Sequence, residues 1–154
     1  MMTEIDIVEY SPSFQVSFKE LNEAWIQKYF ELEKEDINTL NQPEKIIAQV
    51  GYIFVALKDN EAVGVCALRK ISPDTFEFSK MAVSENFQGF GIGRKLAETA
   101  IDKARQMGVK RIYLEGNTKL EASIHLYKKL GFKEITGPPS KFKRVNIVME
   151  MFLS

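Results

Sequence analysis

The sequence predicts a mixed α/β fold with one twisted, mainly antiparallel sheet flanked by helices, and three observations lead to this prediction. Residues 52–83 contain short apolar segments separated by tight polar turns, which is typical of antiparallel strands. From there to residue 153 helix and strand patterns alternate, as they do where helices pack on a sheet. The length of 154 residues fits one domain, expected over residues 1–154, with a core that needs no disulfides.

The start of the chain predicts a strand followed by a helix. The strand covers residues 5–10, and Ser11-Pro12 then indicates a helix start, since serine caps helices and proline suits their first turn. The helix has an apolar stripe formed by Phe14, Phe18, Leu21 and Trp25. The polar residues 31–41 are expected to form a loop, and residues 43–50 a short helix.

The rest of the chain follows the two periods of strands and helices. Strands are predicted over residues 52–58, 62–71 and 75–83, with a tight turn at Asp59-Asn60. The remaining elements are a helix over 92–107, a strand over 111–115, a helix over 120–130 and, after a bend at Gly137-Pro138-Pro139, a strand over 146–153.

Composition and charge exclude several classes of partner. Lys and Arg together number 21, as do Asp and Glu, so no net charge attracts nucleic acid or an anionic membrane. The acidic start lacks the basic and apolar regions of a signal peptide, and no apolar run reaches the ~18 residues of a membrane span. Cys66 stands alone and fits its strand as a small buried side chain. We therefore expect a cytoplasmic protein without a nucleic-acid partner, a membrane partner or a metal cluster.

A glycine-rich loop, Gln88-Gly89-Phe90-Gly91-Ile92-Gly93, lies between a predicted strand and a predicted helix. Glycines allow positive φ and close approach of a ligand, and loop amides at a helix N-terminus form an anion site. Arg94 and Lys95 stand in the first helical turn, where cations oppose the helix dipole unless an anion is bound. A phosphate site is the hypothesis, and a structural turn with two solvated cations is the alternative.

Two familiar phosphate motifs fit this loop poorly. Gly93-Arg94-Lys95-Leu96 does not supply the Gly-Lys-Ser/Thr ending of a Walker A loop. Gly89 and Gly91 match two glycines of the dinucleotide fingerprint, and Glu115 ends the next strand where the ribose-binding acid would stand. The third glycine, however, falls on Arg94, and antiparallel strands precede the loop. A dinucleotide-binding fold is therefore disfavoured.

Two motifs occur in a characteristic order. The first is Met81-Ala82-Val83 at the end of a strand, followed by Gln88 to Gly93 at the start of a helix. The second is Ser123-Ile124-His125-Leu126-Tyr127, which leads into Lys129-Leu130-Gly131-Phe132. Both resemble the hallmarks of the GNAT family of N-acetyltransferases, and the order of elements is similar as well. The resemblance implies an enzyme that transfers the acetyl group of acetyl-CoA directly to a primary amine.

The resemblance also implies a binding site for acetyl-CoA. The amides of the loop would hold the pyrophosphate, with help from Arg94 and Lys95. The main chain at Met81-Ala82-Val83 would pair with the pantetheine arm, so that positioning supplies much of the rate. Many members carry an asparagine where this chain has Leu120, and Asn117, one turn earlier, is the candidate to replace it.

A base and an acid complete the implied mechanism. Glu77 lies six residues before Val83, as the base does in histone-type members, and a solvent-facing glutamate is the alternative. Tyr127 matches the family's general acid, which protonates the departing thiolate, and simple packing is the alternative. His125, offset by two positions on the same helix, is expected to face solvent.

The acceptor amine, of a small molecule or a peptide, is the least specified part. The acidic segment Glu31 to Asp36 occupies the region that shapes the acceptor site in this family, and we interpret it as attracting a cationic amine, with simple solvation as the alternative. The oligomeric state stays open, although homodimers are common in the family. A non-catalytic acyl-CoA sensor is the alternative function, and the presence of both Tyr127 and Glu77 argues against it.

Overall fold

The computed structural model describes residues 4–137 and 140–153, in which one seven-stranded sheet has the order β1-β2-β3-β4-β5-β7-β6. The strands are β1 (Asp6–Glu9), β2 (Tyr52–Lys58), β3 (Glu61–Lys70), β4 (Thr75–Val83), β5 (Arg111–Gly116), β6 (Lys133–Ile135) and β7 (Ile147–Phe152). The helices are α1 (Gln15–Tyr29), α2 (Lys34–Asn41), α3 (Glu44–Ala48), α4 (Ile92–Gln106) and α5 (Glu121–Leu130). None of the helices in the described part of the chain has the length and apolar character needed to cross a bilayer.

The sheet opens at its centre, between β4 and β5. The other neighbouring strands are antiparallel, whereas β4 and β5 are parallel and pair only over Thr75–Glu77 and Arg111–Tyr113. β4 also bulges where its register with β3 shifts, and Lys80 at the bulge has a φ of 54°, in the left-handed region. Past Glu77 the two strands diverge, and a cavity occupies the gap between them.

Apolar side chains cover both faces of the sheet. On one face α4 packs over β2, β3 and β4, and Leu96 of α4 and Ile112 of β5 are fully buried in the apolar cluster there, which also includes Ile124 of α5. On the other face α1 packs over β3 and β4, α3 packs over β2 and β3, and α2 packs against α1; Phe18 and Ile53 are fully buried there. Burying one such side chain stabilises the fold by about 1.5–3 kcal/mol.

The predicted fold class is confirmed, but the prediction that residues 31–41 form a loop is wrong, because Lys34–Asn41 form α2. Two acids start this helix as a reciprocal capping box. The Glu33 carboxylate accepts from the main-chain N–H of Asp36, and the Asp36 carboxylate accepts from the N–H of Glu33 at 2.9 Å. The usual sequence signature of this box is Ser or Thr followed by Glu or Gln. The acidic version lacks this signature, so the sequence does not indicate a helix start here.

Smaller differences concern single turns and a short strand. Ser11 and Pro12 open a 3₁₀ turn, Pro12–Phe14, and α1 itself begins at Gln15. The three-residue strand β6 was not predicted, since it is too short to show a period. Pro138 and Pro139 of the predicted bend lie outside the described residues. The assignment of residues 1–154 to one domain stays a prediction.

Candidate active site

A cavity where β4 and β5 separate brings together several of the residues singled out from the sequence. Its wall includes Glu77, Met81, Asn117 and Tyr127. The other charged or aromatic residues in the wall are Trp25, Phe30, Glu35, Arg69, Phe78, Lys80, Glu115, Lys141, Phe142 and Arg144. The glycine loop at 88–93 lies outside this wall, beyond the end of β4. The cavity therefore contains the predicted acid and base but not the predicted phosphate site.

Glu77 lies in the cavity wall with one carboxylate oxygen held and the other open. Arg69, its partner across the β3–β4 ladder, donates to Oε1 from Nε at 3.2 Å and from Nη2 at 2.8 Å. Oε2 has no donor among the described residues, in which every buried side-chain polar atom has a partner. Oε2 must therefore reach the cavity rather than the protein interior. This oxygen is free to accept a hydrogen bond from a molecule in the cavity.

The pKa of Glu77 is raised above its ordinary value. Burial is the main cause, since only 8% of the residue is exposed. The guanidinium of Arg69 opposes burial, the nearby Glu115 carboxylate adds to it, and Lys80 has a weaker opposing effect. A carboxyl whose pKa is raised toward neutrality is a stronger base than an ordinary one, which suits proton abstraction near pH 7.

Tyr127 lies on α5 with its ring packed between aromatic neighbours. The ring centroids of Phe78 and Phe132 are 6.1 Å and 5.9 Å away, both in edge-to-face geometry. Burial, and to a lesser extent Cys66, raise the pKa of the hydroxyl, so it stays protonated at neutral pH. The hydroxyl has no hydrogen-bond partner among the described residues and is not sealed from the cavity. It is available as a proton donor. His125 on the same helix is exposed, as expected.

The half of β4 beyond Glu77 offers free main-chain groups to the cavity side. On the β5 side its pairing ends at Glu77, so the backbone from Ser79 to Val83 has no strand partner there within the described residues. Ala82 is buried in the opposite face of the sheet, whereas Met81 lines the cavity. An extended ligand lying in the gap could hydrogen-bond to this edge as an added strand does.

The glycine loop has the backbone conformation of an anion site. Gly89 and Gly91 have φ values of 87° and 81°, which side-chain-bearing residues rarely adopt, and a Cβ on either would meet no atom within 4 Å. α4 starts just after Gly91 without a side-chain cap, so the amides of its first turn face open space. Gln88 ties the loop to β4 by donating from Nε2 to the carbonyl of Val83 at 3.2 Å. Exposed main-chain amides at a helix start fit a phosphate group.

Three residues assigned to cofactor binding make other contacts. Arg94 pairs with Glu98 one turn along α4, with 3.7 Å between Nε and Oε1, and Lys95 donates from Nζ to the carbonyl of Ile5. Asn117 donates from Nδ2 to the carbonyl of Arg144 at 2.6 Å and accepts from a neighbouring amide through Oδ1. The roles of Arg94, Lys95 and Asn117 toward a cofactor stay predictions.

A buried charge cluster that the sequence did not predict lies beside the cavity, whose wall includes its members Lys80 and Arg144. Asp36 is fully buried and accepts from Lys80 Nζ at 2.9 Å and from both terminal nitrogens of Arg144 at 2.7 Å. Burial alone would raise the pKa of Asp36, but Arg144 and Lys80 together hold it below its ordinary value. Lys80 and Arg144 also lie over the ring of Phe142, with 4.7 Å and 4.4 Å to its centroid.

The interpretation of the acidic segment as open negative charge is therefore wrong for two of its residues. Asp36 is neutralised as described, and Glu33 binds Arg144 with 3.3 Å between Oε2 and Nη1. Of the segment's acids, Glu35 alone among the described residues lines the cavity. Glu115, considered from the sequence only as a ribose ligand, faces the same cavity and accepts from Tyr113 and Ser140 at 3.0 Å and 2.8 Å.

Comparison with known proteins gives a family and a fold. Residues 10–132 match the model of the acetyltransferase (GNAT) family. The chain is 34% identical over 100 residues to the uncharacterized N-acetyltransferase YjgM of Escherichia coli (strain K12), and the match covers 62% of this chain and 60% of that protein.

Two solved structures share the fold. One is a GNAT family acetyltransferase of Staphylococcus aureus Mu50, with a TM-score of 0.89 and 22% identity over 98% of this chain and 100% of that one. The other is a GNAT family acetyltransferase of Elizabethkingia anophelis with acetyl-CoA bound, with a TM-score of 0.73 and 22% identity over 97% of this chain and 98% of that one.

Proposed function

The chain belongs to the GNAT acetyltransferase family, and from that premise we propose that it transfers the acetyl group of acetyl-CoA directly to a primary amine. One observation carries the proposal. The open oxygen of Glu77 and the hydroxyl of Tyr127 reach the same cavity, at the point where β4 and β5 diverge. A base and an acid in one cavity are what acyl transfer from a thioester to an amine requires.

The donor half of the site is formed by main chain rather than by charged side chains. The amides between Gln88 and Gly93 would bind the pyrophosphate, and the edge of β4 at Met81-Ala82-Val83 would pair with the extended pantetheine arm. Arg94, Lys95 and Asn117 are the side chains that would assist. This arrangement lays the thioester in the gap beside Glu77, so that the reaction gains from positioning.

The acceptor half has to deliver a neutral amine. An amine with a pKa near 10.4 is protonated at pH 7, and deprotonating it costs about 4.6 kcal/mol. Glu77 accepts that proton at Oε2 while Arg69 holds Oε1. The acceptor is a primary amine of a small molecule or a peptide, which enters the cavity from the side of α1 and α2.

Tyr127 completes the transfer. As the new C–N bond forms and the C–S bond breaks, the bonding electron pair moves to sulfur. The hydroxyl of Tyr127 donates its proton to that sulfur and is reprotonated from solvent. Its raised pKa keeps the proton in place until negative charge develops nearby.

A thiol-release assay with acetyl-CoA tests the proposal against the sensor alternative. The acceptor panel should contain small alkyl amines, polyamines, amino acid amides and short peptides. We expect turnover with at least one class. Tight acetyl-CoA binding without thiol release across the whole panel would instead support a sensor.

Tyr127→Phe tests the proposed acid with little change in packing. We expect kcat to fall by about 10²–10⁴-fold while acetyl-CoA affinity stays the same, because the lost interaction forms only in the transition state. Tyr113→Phe is the matched control, since it removes a phenol hydroxyl that contacts Glu115 rather than the proposed sulfur position. A Tyr127→Phe enzyme with unchanged kcat would show that another group protonates the thiolate.

A further inference from the structure

We propose that Arg69 is a positioning residue for the base, holding Oε1 of Glu77 so that Oε2 faces the acceptor amine in an ionised carboxylate. The inference rests on the proposed function, because it concerns the same reaction. Nothing in the sequence pattern singled out Arg69, since a basic residue on a strand is usually a solvated side chain. The structure places it beside Glu77 in the cavity wall.

The geometry of the pair gives Arg69 this role. Two of its three guanidinium nitrogens bind the same oxygen, Nε at 3.2 Å and Nη2 at 2.8 Å, and Oε2 is left free. A side-by-side pairing of two nitrogens with two oxygens, the common arginine–carboxylate geometry, would have occupied both oxygens. The pair as built fixes the rotation of the carboxylate and keeps its second oxygen for another proton donor.

The local backbone makes the hold rigid. Arg69 and Glu77 are direct partners in the antiparallel ladder of β3 and β4, so their Cα atoms keep a fixed separation. Glu77 is also the last residue of β4 that pairs with β5, where Tyr113 is its neighbour. The carboxylate therefore lies at the point where the gap begins, fixed from both sides, and its free oxygen can face only the cavity.

The charges around Glu77 explain why an ion pair is needed there. Glu115 on β5 and the burial of the site both favour the protonated carboxyl, which cannot accept a proton. Tyr113 on β5 is neutral, Glu35 on α2 lines the same cavity, and Lys80 on β4 is already bound by Asp36. Arg69 is the cation in direct contact with Glu77, so its loss should leave the carboxyl protonated at higher pH than in the native enzyme.

A pH–rate profile of Arg69→Gln tests this. On the acid side of the profile (the acid limb) the rate falls because Glu77 becomes protonated. Removing Arg69 raises the pKa of Glu77, so the acid limb should move to higher pH. We expect kcat/KM at pH 7 to fall by about tenfold and to recover in alkaline buffer. Arg69→Lys should return the acid limb most of the way to its native position, because lysine keeps the positive charge. Arg105→Gln, which breaks an exposed pair with Asp102 on α4, is the control and should leave the profile unchanged.

The double variant Arg69→Gln/Glu77→Gln separates the two proposals. If the positioning role is correct, Arg69→Gln changes the profile only while Glu77 is present, a coupling that a double-mutant cycle measures directly. If Glu77→Gln removes the acid limb but Arg69→Gln does not shift it, Glu77 is still supported as the base and the positioning role of Arg69 is overturned. A limb that survives Glu77→Gln would refute Glu77 as the base. A loss of rate equal at all pH values, with a lower melting temperature, would make Arg69 merely structural.

Discussion

The glycine loop and the cavity wall around Lys80 and Arg144 are built in opposite ways. The loop at 88–93 is held by backbone conformation, with two glycines at positive φ and no side-chain cap on α4. The wall is held by side chains from three distant segments, since Asp36 of α2 binds Lys80 of β4 and Arg144 before β7. The loop is main chain whose conformation fits an anion, and the wall is buried charge that is already neutralised.

The difference in construction shows what the glycine loop and the wall can each recognise. Free amides at a helix start bind a phosphate of almost any molecule, which suits a common co-substrate. The wall cannot attract an amine by charge, because its acids and cations compensate one another. It fixes α2 and residues 142–144 against the bulge of β4, and under the proposed function it would set the shape of the acceptor side. Its effect on acceptors should therefore be mainly steric.

Asp36→Ala should break the wall and has the largest expected effect on stability. It leaves Lys80 buried without the acid it binds and Arg144 with Glu33 as its remaining acidic partner, and removing one partner of a buried pair typically costs about 3–5 kcal/mol. Urea unfolding measures the loss. Glu31→Ala, an exposed acid from the same segment, should change the free energy of unfolding by less than about 0.5 kcal/mol. Equal effects of the two substitutions would show that the cluster contributes no net stability.

The contribution of Asp36 should also disappear in acid. Its pKa is lower in the folded protein than in the unfolded chain, so its stabilisation is fully present above the unfolded value of about 4. It is lost as the pH falls through the folded pKa. The difference in unfolding free energy between the native protein and Asp36→Asn should be constant from about pH 5 to 7 and should shrink below about pH 4. A difference that does not change with pH would show that Asp36 acts through packing rather than charge.

The glycine loop and the wall also differ in how far the sequence predicted them. The loop is local, because six consecutive residues specify its conformation, and the glycines at 89 and 91 have the positive φ that the pattern indicated. Glu77 and Tyr127 were singled out by the resemblance to the family's motifs, and the structure places both in the wall of one cavity. The wall joins pairs of residues that are separated by 44 and by 108 positions along the chain. A local sequence pattern does not predict such long-range contacts. The helix α2 was not predicted, and for a local reason, because its capping box has acids in place of the usual residues.

Gly91→Val tests the backbone end of the comparison. A Cβ at this position meets no atom within 4 Å, so the stability cost should come from the positive φ alone, about 1–3 kcal/mol. Gly108→Val is a matched control, because Gly108 also has a positive φ and open space but lies at the other end of α4. Both variants should lose similar stability, whereas calorimetry should find weaker acetyl-CoA binding only in Gly91→Val. The same affinity in both would place the phosphate elsewhere.

Arg94→Gln should have the smallest effect and measures how much charge adds to the backbone site. Arg94 stands in the first turn of α4, where it opposes the helix dipole, and its exposed pair with Glu98 contributes at most about 0.5 kcal/mol. These terms offset each other, so stability should hardly change. A bound phosphate next to this turn would gain about 0.3–1 kcal/mol from the cation, and acetyl-CoA affinity should therefore fall by about two- to fivefold at low salt. The difference should vanish near 1 M salt, where the Debye length is about 3 Å. An affinity that is unchanged at low salt would mean that the loop amides bind the phosphate without help from this arginine.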